Sequence, residues 1–231
     1  MKVIQAIDIH KTYNPDKVPV KALNGISMDI EQGEFTAIVG PSGSGKTTLL
    51  NIIGGLDQPT AGKIILNGQD ISSFKDNEMI NFRLHNIGFV FQSYNLIPVL
   101  SAFENIEFVM LLQKIAEKDR RERTLELLEA VDLIDKKDKR PTELSGGQQQ
   151  RVAVARALAS KPAFILADEP TANLDSASTS NLLDIMLKLN EREGTTFVFS
   201  THDQRVIDKA RRIITIDDGK IKEDVLNEGI A

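Results

Sequence analysis

Apolar residues recur along this chain with two periods, and the changes of period mark out its elements. In residues 3–9, and again at Ile26, Met28 and Ile30, they alternate with polar positions, as in strands buried on one face. Phe35-Thr36-Ala37-Ile38-Val39 is instead almost wholly apolar, which predicts a central strand covered on both faces. A glycine-rich loop follows, and residues 47–53 continue with helical spacing. Residues 63–66 with the Asn67-Gly68 pair read as a strand and turn, and residues 87–91 as a further buried strand. From about residue 93 to 147 leucines recur at helical spacing among dense charge, and Ser101 with Glu104 has capping-box spacing. Helices are expected over about 144–159 and 176–193, with short β runs at 164–167 and 195–200. Strands alternating with helices predict an α/β fold, a parallel sheet with crossovers interrupted by a helical insertion.

Composition narrows the partners. The 231 residues are 41% hydrophobic and 26% charged, enough for one domain with a full core. Lys plus Arg is 28 against 33 for Asp plus Glu, and the resulting charge of −5 argues against nucleic acid as a partner. Cysteine is absent from the sequence, which excludes disulfides and thiolate metal sites and suits a reducing cytosol. Gln5, Asp8 and His10 interrupt the apolar run that a secretory signal needs. No stretch nears the roughly 20 apolar residues of a spanning helix, so a membrane role must come through a partner. His10, His85 and His202 lie far apart and lack ligand spacing for a transition metal. The clusters Arg120-Arg121-Glu122-Arg123 and Lys136-Lys137-Asp138-Lys139-Arg140 read as a solvated face of the helical insertion.

Gly40-Pro41-Ser42-Gly43-Ser44-Gly45-Lys46-Thr47 fits G-x-x-x-x-G-K-[ST] between a buried strand and a helix. Such glycines let backbone N–H groups curl around phosphate oxygens, and the following helix adds its positive end. Lys46 would reach the β- and γ-phosphates and the Thr47 hydroxyl would ligate Mg²⁺; Thr48 follows in the candidate set. The apolar stretch ending in Asp168-Glu169 would set Asp168 beside that loop to hold Mg²⁺ through water. Glu169 would then orient or deprotonate an attacking water. Ser145-Gly146-Gly147-Gln148 opens another helix; it reads as an anion-binding N-terminus or as an ordinary capping box.

Leu144-Ser145-Gly146-Gly147-Gln148, continuing as Gln149-Gln150-Arg151, resembles the signature motif of the ATP-binding-cassette (ABC) ATPases. It stands between the phosphate loop and the Asp168-Glu169 strand, as in that family. Tyr13 matches the family's adenine-stacking aromatic and Gln92 its glutamine loop, which touches Mg²⁺ and water. Ala172-Asn173-Leu174-Asp175 matches the D-loop and His202 the switch histidine. Departures are small: Thr47 stands where serine is frequent, and Ala172-Asn173 where Ser-Ala is usual. Phe89-Val90-Phe91-Gln92-Ser93-Tyr94-Asn95-Leu96-Ile97-Pro98 and Gly54-Gly55-Leu56-Asp57 resemble the branch of lipoprotein-releasing, macrolide-export and cell-division ATPases. Stand-alone lipoprotein-releasing subunits and antimicrobial-peptide exporters are the nearest match.

The resemblance implies one ABC ATPase domain over residues 1–231. A P-loop core with an N-terminal antiparallel β lobe would occupy 1–92 and 148–231, and a helical lobe about 93–147. It implies ATP and Mg²⁺ as cofactors, and a homodimer in the ATP-bound state with Ser145 and Gly147 of one copy over ATP held by the other. It implies integral-membrane permease subunits at the cytoplasmic face of the inner membrane, docked near Tyr94, Leu96, Ile97 and Leu100. A soluble ABC ATPase acting on DNA or assembling clusters is the rival reading, disfavoured by the negative charge and the lack of a long coiled-coil insertion. An ATP-holding regulator is another, disfavoured by the presence of both Glu169 and His202.

Overall fold

The computed structural model describes residues 1–14 and 17–227; residues 15, 16 and 228–231 of the expected single unit lie outside the described residues. The chain opens with strands β1 (Lys2–Tyr13), β2 (Val20–Glu31) and β3 (Phe35–Val39), and helix α1 (Lys46–Ile53) follows the glycine-rich loop. Next come β4 (Ala61–Leu66), β5 (Gln69–Asp70), α2 (Asp76–Asn86) and β6 (Ile87–Phe91). The helical stretch holds α3 (Ala102–Leu112), α4 (Glu117–Ala130) and two single-turn 3-10 segments before α5 (Gly146–Ala159). The chain then runs through β7 (Phe164–Asp168), α6 (Ser176–Glu193), β8 (Thr196–Ser200), α7 (Gln204–Lys209), β9 (Arg212–Asp217) and β10 (Lys220–Leu226).

Two sheets result. An antiparallel one has the order β2-β1-β4-β5; the other, β10-β9-β3-β8-β7-β6, is parallel from β9 to β6 with β10 antiparallel at one edge. Its central strands are mostly apolar because each buries both faces, and alternate residues divide between two cores. Phe164 and Leu166 of β7 enter the core shared with α1 and the β1–β2 lobe. Ile165 and Ala167 enter the core shared with α3, α4, α5 and α6. Phe35, Phe197 and Phe199 pack together on the second side with ring centroids 4.5–5.9 Å apart. Each fully buried ring contributes about 2 kcal/mol of transfer free energy. The parallel sheet is thus a wall between the cores, and the loops at the carboxyl ends of β3, β7 and β8 meet along one rim.

The two capping boxes form as the sequence predicts. Ser101 Oγ accepts from Glu104 N–H at the start of α3, and Ser145 Oγ from Gln148 N–H at the start of α5. α5 is unbroken from Gly146, so its first turn lies in the helical stretch while Val152, Val154 and Leu158 pack into the core. The solvated face expected of Arg120 to Arg123 needs correction. Arg123 is buried, donating through Nη2 to Glu193 Oε2 at 2.6 Å and to the Leu158 carbonyl at 3.2 Å. Arg120 is paired with Glu107 across α3 and α4. Facing acids on α6 and α3 draw these cations inward, a complementarity that no local charge pattern carries.

Candidate active site

The loop after β3 closes on itself around Lys46. Gly40 has φ +148°, and a Cβ there would lie 2.0 Å from the Ile216 carbonyl oxygen; Gly45, at φ +107°, would place one 2.5 Å from that of Ala22. Neither position admits a side chain, so glycine is required by close approach as well as by conformation. Lys46 is buried, and its ammonium donates to the carbonyls of Gly40 at 2.8 Å and Pro41 at 3.0 Å. The Ser44 hydroxyl in the same loop is buried without a hydrogen-bond partner among the described residues. A buried ammonium held by loop carbonyls, in a glycine-rich loop that opens a helix, suits a cradle for a phosphate chain.

β7 delivers the carboxylates to this loop. Thr47 Oγ1 donates to Asp168 Oδ1 at 3.2 Å, joining residues 121 positions apart in the sequence. A hydroxyl and a carboxylate side by side are the hard oxygen donors that Mg²⁺ takes, so the residues present fit that ion. Glu169 follows at φ +46°, a left-handed conformation costing about 1 kcal/mol in a non-glycine residue. Its N–H is fixed on the Ser200 carbonyl at 2.8 Å. This bend turns the side chain out of the sheet toward His202, whose Nδ1 lies 2.7 Å from Glu169 Oε1. Thr201 Oγ1 donates to Oε2 at 3.5 Å. The loop carrying His202 is braced in turn: Asp203 accepts from Thr171 Oγ1 at 3.0 Å and from Arg205 at 2.7 and 2.9 Å. The Arg205 hydrogen bonds hold the Asp203 carboxyl below the usual aspartate range, so the brace stays ionised.

A cavity of about 680 Å³ lies over the loop, bounded by Lys46, Thr47, Gln92, Glu169 and His202, with residues 20–22 of β2 on another side. Gly40, Pro41, Ser42, Gly43, Gly45 and Thr48 also line it. The cavity therefore gathers most of the expected phosphate, metal and water-handling candidates; Ser44 and Asp168 do not line it, Ser44 lying in the loop itself and Asp168 joined to Thr47 by their hydrogen bond. Tyr13 is not among the residues bounding this cavity. It stands at the end of β1 opposite Val20, its hydroxyl on Asp57. Ser145, Gly146, Gly147 and Gln148 do not bound the cavity either. The α5 N-terminus lies against other segments: a Cβ on Gly146 would sit 2.8 Å from Tyr94 Oη, and one on Gly147 3.0 Å from Ser178 Oγ.

Some contacts of the site's framework are not readable from the sequence, although Gln150 and Asn173 stand within the motifs quoted for it. Gln150, fully buried in α5, donates to the carbonyl of Pro170 at 2.6 Å and of Phe91 at 3.4 Å, tying that helix to the segments bearing Glu169 and Gln92. Arg156, pushed below the usual arginine range by burial, donates to the carbonyls of Tyr94 and Asn95, which both stand at positive φ. Asn173 reaches across to the Gln92 carbonyl at 3.0 Å.

Comparison with known proteins decides the family. Residues 23–172, more than half of the chain, match the model of a family described as ABC transporter. The chain belongs to the ABC transporter family, as an ATPase cassette. An uncharacterised ABC transporter ATP-binding protein of Thermotoga maritima is 48% identical over 96% of this chain and 94% of its own length. The macrolide export ATP-binding/permease protein MacB of Brucella melitensis is 45% identical over 99% of this chain, which spans 35% of that longer protein. Among solved structures, the ATP-binding cassette MJ0796 of Methanocaldococcus jannaschii, dimeric and bound to ADP and Pi in a post-hydrolysis state, superposes with TM-score 0.88 at 42% identity. The match covers 96% of this chain and 98% of that one. The cassette's α/β core, antiparallel β lobe and helical insertion agree with that likeness. Among the described residues, no helix of the cassette is long and apolar enough to cross a membrane.

Proposed function

We propose that two copies of this cassette clasp ATP between them and drive an integral-membrane partner that extracts or exports a lipoprotein, peptide or drug-like substrate. The observation that carries the shared site is the separation within one chain: the phosphate loop, carboxylates and switch histidine converge, while Ser145 and the glycines of α5 stand apart from them. A helix N-terminus binds phosphate only at hydrogen-bond range, about 3 Å, so in this reading Ser145 and Gly147 serve a nucleotide held by another copy. The dimeric MJ0796 cassette supports this reading.

In each site Lys46 and the loop N–H groups hold the β- and γ-phosphates, and Tyr13 stacks on adenine. Thr47, Gln92 and Asp168 are the residues that would hold Mg²⁺, which when bound neutralises phosphate charge. Glu169 takes a proton from the attacking water, and His202, hydrogen-bonded to it, keeps its carboxylate oriented. Residues of about 93–147 form the lobe that meets the membrane partner. A groove of about 400 Å³ between β6, α3 and α5, lined by Phe89, Ile97, Val109 and Leu112, would seat that partner beside Gln92. Its fused relatives of the macrolide-export type support such a partner, and with it a place at the cytoplasmic membrane face.

The test pairs a Lys46→Ala chain with a Ser145→Arg chain, both in a Glu169→Gln background that suppresses turnover, isolated through two different tags. Shared sites leave one wholly intact site, and the mixed dimer traps about one ATP per two chains. Self-contained sites leave none, so absence of trapping, with trapping in the control dimer, refutes the proposal.

A further inference from the structure

Tyr13 is held at both its rim and its face. Its hydroxyl donates to Asp57 Oδ2 at 2.8 Å, across 44 positions of sequence. The other oxygen of that carboxylate accepts the Lys11 ammonium at 2.6 Å and the Gln58 N–H at 2.7 Å. Lys11 donates also to the Gln58 carbonyl at 2.7 Å, and its ammonium lies 4.9 Å from the centroid of the Tyr13 ring. The Lys11 and Asp57 side chains are 13% and 29% exposed, so this pair is partly withdrawn from water. The loop that carries Asp57 is itself fastened to α1, because the N–H groups of Leu56 and Asp57 both donate to the Asn51 carbonyl, at 2.8 and 3.2 Å. α1 begins at the phosphate loop. One rigid unit therefore holds both the phosphate cradle and the aromatic ring.

An unrestrained tyrosine at a strand end loses two side-chain rotations when a base stacks on it, and that ordering subtracts from affinity. A hydrogen bond at the phenol oxygen removes the loss in advance. A cation on one face of the ring leaves the opposite face for a flat ligand and defines the side from which it stacks. We propose that Asp57 and Lys11 are positioning residues that preset the Tyr13 ring as a one-sided platform for the purine base of a nucleoside triphosphate. The proposal rests on the reading of Tyr13 as the adenine-stacking residue. A ring-to-ring contact reads no base edge, so ATP and GTP share the benefit, whereas inorganic tripolyphosphate, which has the phosphates and no base, does not.

The experiment titrates ATP and inorganic tripolyphosphate, each with Mg²⁺, into the full chain and its Tyr13→Ala, Tyr13→Phe, Asp57→Ala and Lys11→Met variants. Tyr13→Ala removes the platform and should weaken ATP about tenfold with tripolyphosphate unchanged. Tyr13→Phe keeps the ring but cuts the tether; it, Asp57→Ala and Lys11→Met should each weaken ATP about three- to fivefold, again sparing tripolyphosphate. The Tyr13→Phe/Asp57→Ala double variant should be no weaker than Asp57→Ala alone, because both changes cut the same link. If Tyr13→Ala weakens ATP while Tyr13→Phe and Asp57→Ala bind as the unmodified chain does, the platform stands and the positioning role is overturned. If Asp57→Ala weakens both ligands equally and Tyr13→Phe neither, Asp57 merely supports the loop after α1, and the proposal is again overturned. If Tyr13→Ala itself leaves ATP unaffected, the adenine-stacking reading fails and this inference falls with it. Tyr13→Phe deletes one oxygen, so the test survives poor folding of the other variants.

Discussion

Replacing Glu169 by glutamine separates what this residue does for the fold from what it does for the chemistry. The side chain is 18% exposed, its Oε1 lies 2.7 Å from His202 Nδ1, and its backbone is pinned at φ +46° through Ser200. Glutamine has the same shape, keeps an oxygen for His202, and meets the same backbone strain. The ground state exchanges a hydrogen bond to a charged acceptor for a neutral one, a loss of about 1 kcal/mol. In a domain of this size that lowers Tm by about 2–4 °C. The chemical step loses its base altogether, and general-base catalysis contributes about 10²–10⁴ in rate, or roughly 3–5 kcal/mol of barrier. The two effects differ by several-fold in energy and are read by different instruments. Thermal melting and ATP titration should show a nearly intact protein, while single-turnover phosphate release falls by at least about two orders of magnitude. ATP-bound dimer should accumulate on size exclusion. Phosphate release within about threefold of the unmodified protein, in a variant that melts normally, refutes the role of Glu169 as base.

Three further outcomes follow from the geometry. Ile97→Asp and Leu112→Asp put a charge into the groove beside Gln92, and each should cut recovery of the cassette with its membrane partner about tenfold while ATP affinity stays within about twofold; undiminished co-purification from membranes removes the groove as the docking site. Arg123→Ala leaves Glu193 in a half-buried site with Arg192 as its remaining cation, and should cost about 3 kcal/mol by chemical denaturation, most of it recovered in Arg123→Met/Glu193→Leu. Burial pushes the Glu193 carboxyl up, but the Arg123 and Arg192 hydrogen bonds outweigh it and hold the group below its ordinary 4.5. A carboxylate lowered in the folded state stabilises above its unfolded value and loses that contribution as pH falls through the folded one, so the acid limb of the stability profile should flatten in Arg123→Ala. An unchanged acid limb in that variant contradicts the assignment.

The sequence by itself determined what depends on neighbours along the chain. The strand–loop–helix around Gly40 to Thr47 is legible because backbone curvature around Lys46 demands glycine locally, and an apolar run before it demands a buried strand. The capping boxes at Ser101 and Ser145 are legible for the same reason, since a helix end is satisfied by a side chain three residues away. The pattern does not single out α2, β5, α7, β9 or β10. β9 reads no differently from any short apolar stretch until it is seen paired with β3.

Tertiary structure decided the rest. Parallel neighbours are joined by crossovers, so nothing in the residues of β7 states that Asp168 stops beside Thr47, or that the bend at Glu169 meets His202 from β8. The burial of Arg123 depended on an acid 70 positions away, and the tether on Tyr13 on a carboxylate 44 away. That Ser145 does not bound the cavity over its own phosphate loop is likewise a property of how α5 packs. Local sequence fixes backbone conformation because sterics and hydrogen bonds act within a few residues. It does not fix which charges and hydroxyls meet across the fold, because those meetings are set by the packing of surfaces drawn from the whole chain.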